Sequence, residues 1–131
     1  MATIREEILI DIASDTVWDA VRDIGALHTR LVPGFVTDTK MEEGARLVTF
    51  ASGMVLRERI VDCDDASRRL VWSINEAPFA HHNGAMEVFA DGSGTRVVWT
   101  ADLLPHELKA SIAELMSQGL AIMKRTLEAV G

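Results

Sequence analysis

The spacing of apolar residues changes period along this chain, and the changes mark out its elements. Over 3–12, TIREEILIDI, residues Ile4, Ile8, Ile10 and Ile12 fall on one face, which is strand spacing. ASDTVWDAVRDIG follows, with Val17, Trp18, Val21 and Ile24 at helical spacing. Ser14 is placed to cap that helix, Asp15 suits its positive end, and Gly25 suits its stop. A second short helix is expected over about 26–32, ending before Pro33-Gly34. The period then becomes two. Strands are expected near 35–41, 45–51, 54–63, 69–75, 81–90 and 95–103, separated by the turn-like breaks EEG, SGM, DDASR, NEAP and ADGSG. Pro105 opens a long helix to about 128, with the stripe Leu108, Ile112, Leu115, Met116, Gly119, Met123 and Leu127.

The predicted order is β-α-α-β-β-β-β-β-β-α, an α+β chain whose short turns impose an antiparallel sheet. The long amphipathic helix covers one face of that sheet. This order resembles the helix-grip fold of the SRPBCC superfamily, also called START-like. That superfamily includes polyketide cyclases and dehydrases, lipid-transfer START domains and relatives of the birch-pollen allergen. The likeness is carried by ASDTVWDAVRD, by RERIVDCDDASRRLVWSI and by GTRVVWTADLLP, and it spans residues 1–131 as a single domain. It implies a curved seven-stranded sheet wrapped around the C-terminal helix, with a cavity for a hydrophobic small molecule between them. These stretches mark the fold and are not catalytic signatures.

Strand alternation then sorts the side chains. In 54–62, Met54, Leu56, Glu58 and Ile60 share one face, while Val55, Arg57, Arg59 and Val61 share the other. Two arginines are costly to bury, so the first set is expected to face the helix. If the last hairpin turns at DGSG, Ala90 faces Thr95, Val88 faces Val97 and Met86 faces Trp99. His82 then points inward and His81 outward.

Glu58 and His82 are therefore the candidate acid–base or ligand-fixing pair, with Glu6 as a third ionisable group on the inner face. A purely structural role for them is the competing reading. Leu56, Trp72, Met86, Trp99, Met116 and Met123 are expected to line the interior, together with Met54. Gly119 either brings the helix close to the sheet or leaves room for a ligand. Trp18 reads as packing.

The totals narrow the function classes. The net charge is −7 and the pI about 5.0, which disfavours nucleic acid as a partner. No apolar run approaches the ~20 residues of a membrane span. No secretory leader is read in MATIREEILI, and Cys63 is the only cysteine, so a reducing cytoplasm is expected. His81 and His82 diverge across the sheet, while His28 and His106 stand alone, so no metal site is expected. Nothing calls for another cofactor: DGSG lacks the third glycine and the helix of a dinucleotide loop. Cys63, beside Asp62, Asp64 and Asp65, is a poor nucleophile.

Three functions follow: a small-molecule binding protein, a polyketide cyclase, aromatase or dehydratase, and an interaction module. The third rests on Val55, Val61, Val71, Phe89 and Val98 on the outer sheet face, a surface suited to a homodimer. Against the enzyme, the chain has no tyrosine, and Lys40, Lys109 and Lys124 lie off the inner face, so a Schiff base is disfavoured.

Overall fold

A computed structural model describes residues 1–130. Strand β1 (Ala2–Ile10) leads into helix α1 (Ser14–Arg22), then a 3₁₀ turn (Ile24–Ala26) and a π-helical turn (Leu27–Leu31). Strands β2 (Val36–Glu42), β3 (Ala45–Phe50), β4 (Val55–Asp64), β5 (Arg69–Ser73), β6 (His81–Asp91) and β7 (Gly94–Leu104) follow. A 3₁₀ turn (His106–Leu108) then enters helix α2 (Lys109–Val130). The expected second helix is thus two irregular turns, and regular α2 starts four residues after Pro105.

The strands form one seven-stranded sheet in the order β1-β7-β6-β5-β4-β3-β2, with every neighbouring pair antiparallel. The β6–β7 register is as the sequence predicts: Ala90 faces Thr95, Val88 faces Val97 and Met86 faces Trp99. Gly92 supplies the turn, with φ of 59°. The inner face packs Ile4, Leu56, Leu70, Trp72, Met86, Val88 and Val97 in one core with Met116, Leu120, Met123 and Leu127 of α2.

Two details of the helices differ from expectation. The N-cap of α1 is Ala13, with no side-chain capping bond. The Ser14 hydroxyl instead accepts from Arg68 Nη1 at 2.7 Å, which ties α1 to the β4–β5 turn. On α2, Leu115 is 45% exposed, and Leu120 takes the inward place. Met116, Leu120, Met123 and Leu127 advance by three or four residues, whereas Leu115 lies about 100° off their line.

The aspartates at the end of β4 hold the turn that follows it. Asp64 accepts from the Ala66 N–H and the Ser67 hydroxyl, and Asp65 accepts from Trp18 Nε1 and Arg22 Nε. Trp18 is accordingly buried packing with its indole N–H satisfied. Cys63 is exposed, and partial burial together with Asp65 raises its pKa.

Candidate functional site

The concave face is built in cross-strand rows. One row runs Ala2, Leu103, His82, then Ile74, whose N–H donates to the His82 carbonyl. On the far side of Ile74 the register of β4 with β5 places Glu58, and Glu58 faces Arg46 on β3. Glu58 and His82 thus share a row but not a contact. They stand two strands apart, roughly 10 Å, with Ile74 between them.

Each has its own surroundings. Glu58 is 6% exposed, and its Oε1 accepts from Arg46 Nε at 2.9 Å. Arg46 is itself 3% exposed, donates from Nη1 to the Ile24 carbonyl, and holds its guanidinium 5.8 Å from the Trp72 ring centroid. The charge on Glu58 is therefore committed to a buried ion pair with Arg46, and Glu58 and His82 make no contact with each other. His82 is 7% exposed, with the Phe79 ring edge-on at 4.5 Å. Burial, with a smaller contribution from His81, pushes its pKa down to about 4, so the imidazole is neutral at pH 7. Its Nδ1 is buried without a partner among the described residues.

Trp72 and Trp99 meet in the middle of the face, with ring centroids 6.0 Å apart and planes tilted by 59°. Trp72 lies flat across its cross-strand partner Gly84, where a Cβ would fall 2.6 Å from its ring. Trp99 covers Gly119 of α2, where a Cβ would stand 3.3 Å from its ring and 3.6 Å from Phe35. Of the two readings of Gly119, close approach is therefore the one the structure takes. Trp99 Nε1 is buried and unpartnered among the described residues.

Leu56, Trp72, Met86, Met116 and Met123 are buried on this interior, and Glu6 is half-buried in the row of Trp99 and Met86. Met54 is the exception at 48% exposed. It precedes β4 in the hairpin, where its carbonyl accepts from the Phe50 N–H, so strand alternation does not reach it.

Two surface clefts, of about 260 and 250 Å³, lie elsewhere: one among Leu9, Asp11, Asp91, Thr95 and Lys124, the other among Arg57, Arg59, Asn75 and Glu76. Neither touches the inner row. Among the described residues, no three His, Cys, Asp or Glu side chains cluster to hold a metal. His81 lies on the opposite face from His82, opposite Leu104.

Arg46 is the residue that sequence reading missed. The signal was present: Arg46, Val48 and Phe50 alternate onto the inner face, and the short hairpin sets Arg46 opposite Glu58.

A sheet curled around one long helix, with a row of polar groups across an aromatic and methionine-lined face, is the helix-grip architecture. Residues 1–128 match the family described as polyketide cyclase / dehydrase and lipid transport, and the chain belongs to that family. No curated protein matches the chain in sequence. Among solved structures, one from Thermobifida fusca superposes with a TM-score of 0.81 at 27% identity, over 98% of this chain and 95% of its own. A START superfamily protein from Mycobacterium smegmatis gives 0.71 at 11% identity, over 97% and 94%. The di-domain ARO/CYC protein BexL of the BE-7585A biosynthetic pathway gives 0.85 at 18% identity, over 99% of this chain and 47% of BexL. No described helix is long and apolar enough to cross a membrane.

Proposed function

We propose that this protein binds a hydrophobic or aromatic small molecule between the concave sheet face and α2, and that it binds rather than transforms it. The supporting observation is His82. A neutral imidazole is buried in an apolar interior, and its Nδ1 is left without a partner. Buried polar atoms in folded proteins are nearly always satisfied, so an unspent one facing a binding interior is a handle for a ligand. The family supports the same reading, since its description covers lipid transport as well as cyclisation. The single free cysteine adds a reducing, cytoplasmic site of action to it.

Cyclase or dehydratase chemistry is the second reading, and it rests on His82 alone. With Glu58 held by Arg46, no other ionised group of the row is free to orient the imidazole or share its proton. A base with a pKa near 4 is also weak at neutral pH. The interaction reading has less support. Val71 and Val98 on the outer face are each 4% exposed, and Arg96 covers the Phe89 ring at 4.6 Å. Only Val55 and Val61, each about half exposed, remain for a homodimer.

The test is titration with the neutral fluorophore N-phenyl-1-naphthylamine. Saturable binding at one site per chain, weakened in His82→Gln, is expected. Absence of saturable binding to the folded protein overturns the proposal.

A further inference from the structure

The sheet ends in two edge strands, β1 and β2, and the fold treats them differently. Along β1, helix α2 packs beside the strand. There Lys124 Nζ donates to the Leu9 carbonyl at 2.8 Å, and the Asp11 N–H just past the strand donates to Glu128 at 2.8 Å. β2 has no such cover. A bridge to Pro33 closes its edge at Val36, but among the described residues no backbone group of Thr37–Glu42 bonds on the free side. All of these residues are exposed except Thr39, which is half-buried. An open edge of this kind is a template for another strand.

The ladder decides which backbone groups are free. Gly44 and Phe50, at the two ends of β3, bond toward β4: the Gly44 carbonyl accepts from the Ile60 N–H, and the Phe50 N–H donates to the Met54 carbonyl. Alternate residues turn the other way, so Ala45, Leu47 and Thr49 bond with Glu42, Lys40 and Asp38. Thr39 and Met41 are left with their N–H and C=O at the open edge.

The side chains of this edge are self-complementary. Thr37 donates to the Thr49 carbonyl and Glu42 pairs with Arg57. Asp38 and Lys40, flanking Thr39 on the outer face, have no partner among the described residues. The Thr39 hydroxyl, on the inner face, is also unpartnered.

We infer that β2 pairs antiparallel with β2 of a second copy of this chain, two-fold about Thr39, so that two sheets join into one. In this register the backbone groups of Thr39 bond those of the second copy's Thr39. Asp38 faces the second copy's Lys40, and the axis repeats that pair. The two Thr39 side chains stand opposite each other, the placement in which threonines hydrogen-bond across strands. Other registers are poorer. Centring on Lys40 sets lysine against lysine and Asp38 against Glu42, and centring on Asp38 sets it against itself. Centring on Met41 draws Glu42 away from Arg57 and runs the pair into the Glu43–Gly44 turn. The pairing uses the sheet edge, not its outer face, and is independent of the ligand reading.

The test is sedimentation equilibrium of the whole chain from about 10 μM to about 1 mM, a range suited to an interface this short. A dimer that forms with rising concentration is expected. Asp38→Lys and Lys40→Asp should each weaken it about 10-fold or more, because each sets like charges opposite each other twice. An equimolar mixture of the two variants should dimerise again, as should the double variant that exchanges both charges. By amide exchange, Thr39 should be slow at the high concentration and fast at the low one, whereas Lys40, bonded to Leu47, stays slow at both. Both charged residues are exposed and unpartnered, so the variants should keep the wild-type urea midpoint. A monomer throughout the range overturns the proposal. So does a dimer indifferent to both single variants, or one that leaves Thr39 exchange unchanged, since either uses another surface.

Discussion

Arg46 and Glu58 face each other across β3 and β4, both nearly fully buried, with Arg46 Nε donating to Glu58 Oε1 at 2.9 Å. Breaking such a pair strands a charge in the interior and costs about 3–5 kcal/mol, whereas replacing both partners with apolar groups is often neutral. Glu58→Gln and Arg46→Met should therefore each lower urea-unfolding stability by about 3 kcal/mol or more. The Arg46→Met, Glu58→Leu double variant should lose less than either single one. A Glu58→Gln protein of undiminished stability would show that the pair does not act as a unit. The prediction also separates structure from chemistry: ligand affinity per folded molecule should survive in the double variant, because Glu58 is not offered to the ligand.

The ion pair shows where the sequence was legible and where it was not. Period-two spacing gave seven strands in the right order, and the short turn at Gly92 fixed the β6–β7 register residue by residue. That register is why His82 was placed inward correctly. Glu58 was also placed inward correctly, but its partner was not found. The cost of burying arginine keeps Arg57 and Arg59 off the inner face of its own strand, but Arg46 across the hairpin is buried because Glu58 pairs with it. A carboxylate on an apolar face implies a cation in a neighbouring strand, and pairing partners cannot be read one strand at a time. Met54 and Leu115 failed for a simpler reason. Each lies at a place where the ideal period stops describing the backbone, one in a hairpin and one at the margin of a helical stripe. The unspent indole nitrogen of Trp99 was illegible, because satisfaction is a property of the packed interior and leaves no trace in spacing.

Gly84 is required by Trp72. A Cβ at position 84 would lie 2.6–2.8 Å from Cε2, Cζ2 and Nε1 of the indole, closer than real contacts allow. The indole must move, and it is boxed by Trp99 and by Arg46 above it. Gly84→Ala should destabilise the protein by about 2 kcal/mol, as overpacking of a filled core does. The penalty should shrink in a Trp72→Phe background, whose smaller ring frees the space. Urea denaturation of the four proteins of that cycle measures the coupling, and additive costs would show that the contact is not the cause.

Gly119 poses the same question with a different expected sign. A Cβ there stands 3.3 Å from Trp99, a contact the indole can relieve by moving a few tenths of an ångström. Alanine in mid-helix is favoured over glycine by about 1 kcal/mol. Gly119→Ala should therefore be stable within about 1 kcal/mol of the parent. It should nonetheless weaken N-phenyl-1-naphthylamine binding, because the methyl group crowds Trp99 and Phe35 where α2 meets the sheet. Unchanged binding would show that the ligand does not reach the part of the interior beside Gly119.

His82 makes stability depend on pH in a defined window. The unfolded imidazole titrates near its ordinary 6.5, and the buried one only at about 4. Above pH 6.5 both states are neutral and the residue adds no pH dependence. Between pH 6.5 and 4 the unfolded chain takes up a proton that the folded protein refuses, so stability falls as pH falls. The loss amounts to roughly 3 kcal/mol once pH is below the folded value. Asp64, Asp65 and Glu128, held low by Ser67, Arg22 and the Asp11 N–H, also lose stabilising interactions toward acid. The readout is therefore the difference between the wild type and His82→Gln, measured by urea unfolding from pH 7.5 to 4. The two stabilities should run parallel above pH 6.5 and converge below it as the wild type loses its His82 contribution. Curves that stay parallel to pH 4 would place the imidazole in contact with solvent. That would remove the unpartnered interior nitrogen on which the proposed ligand site depends.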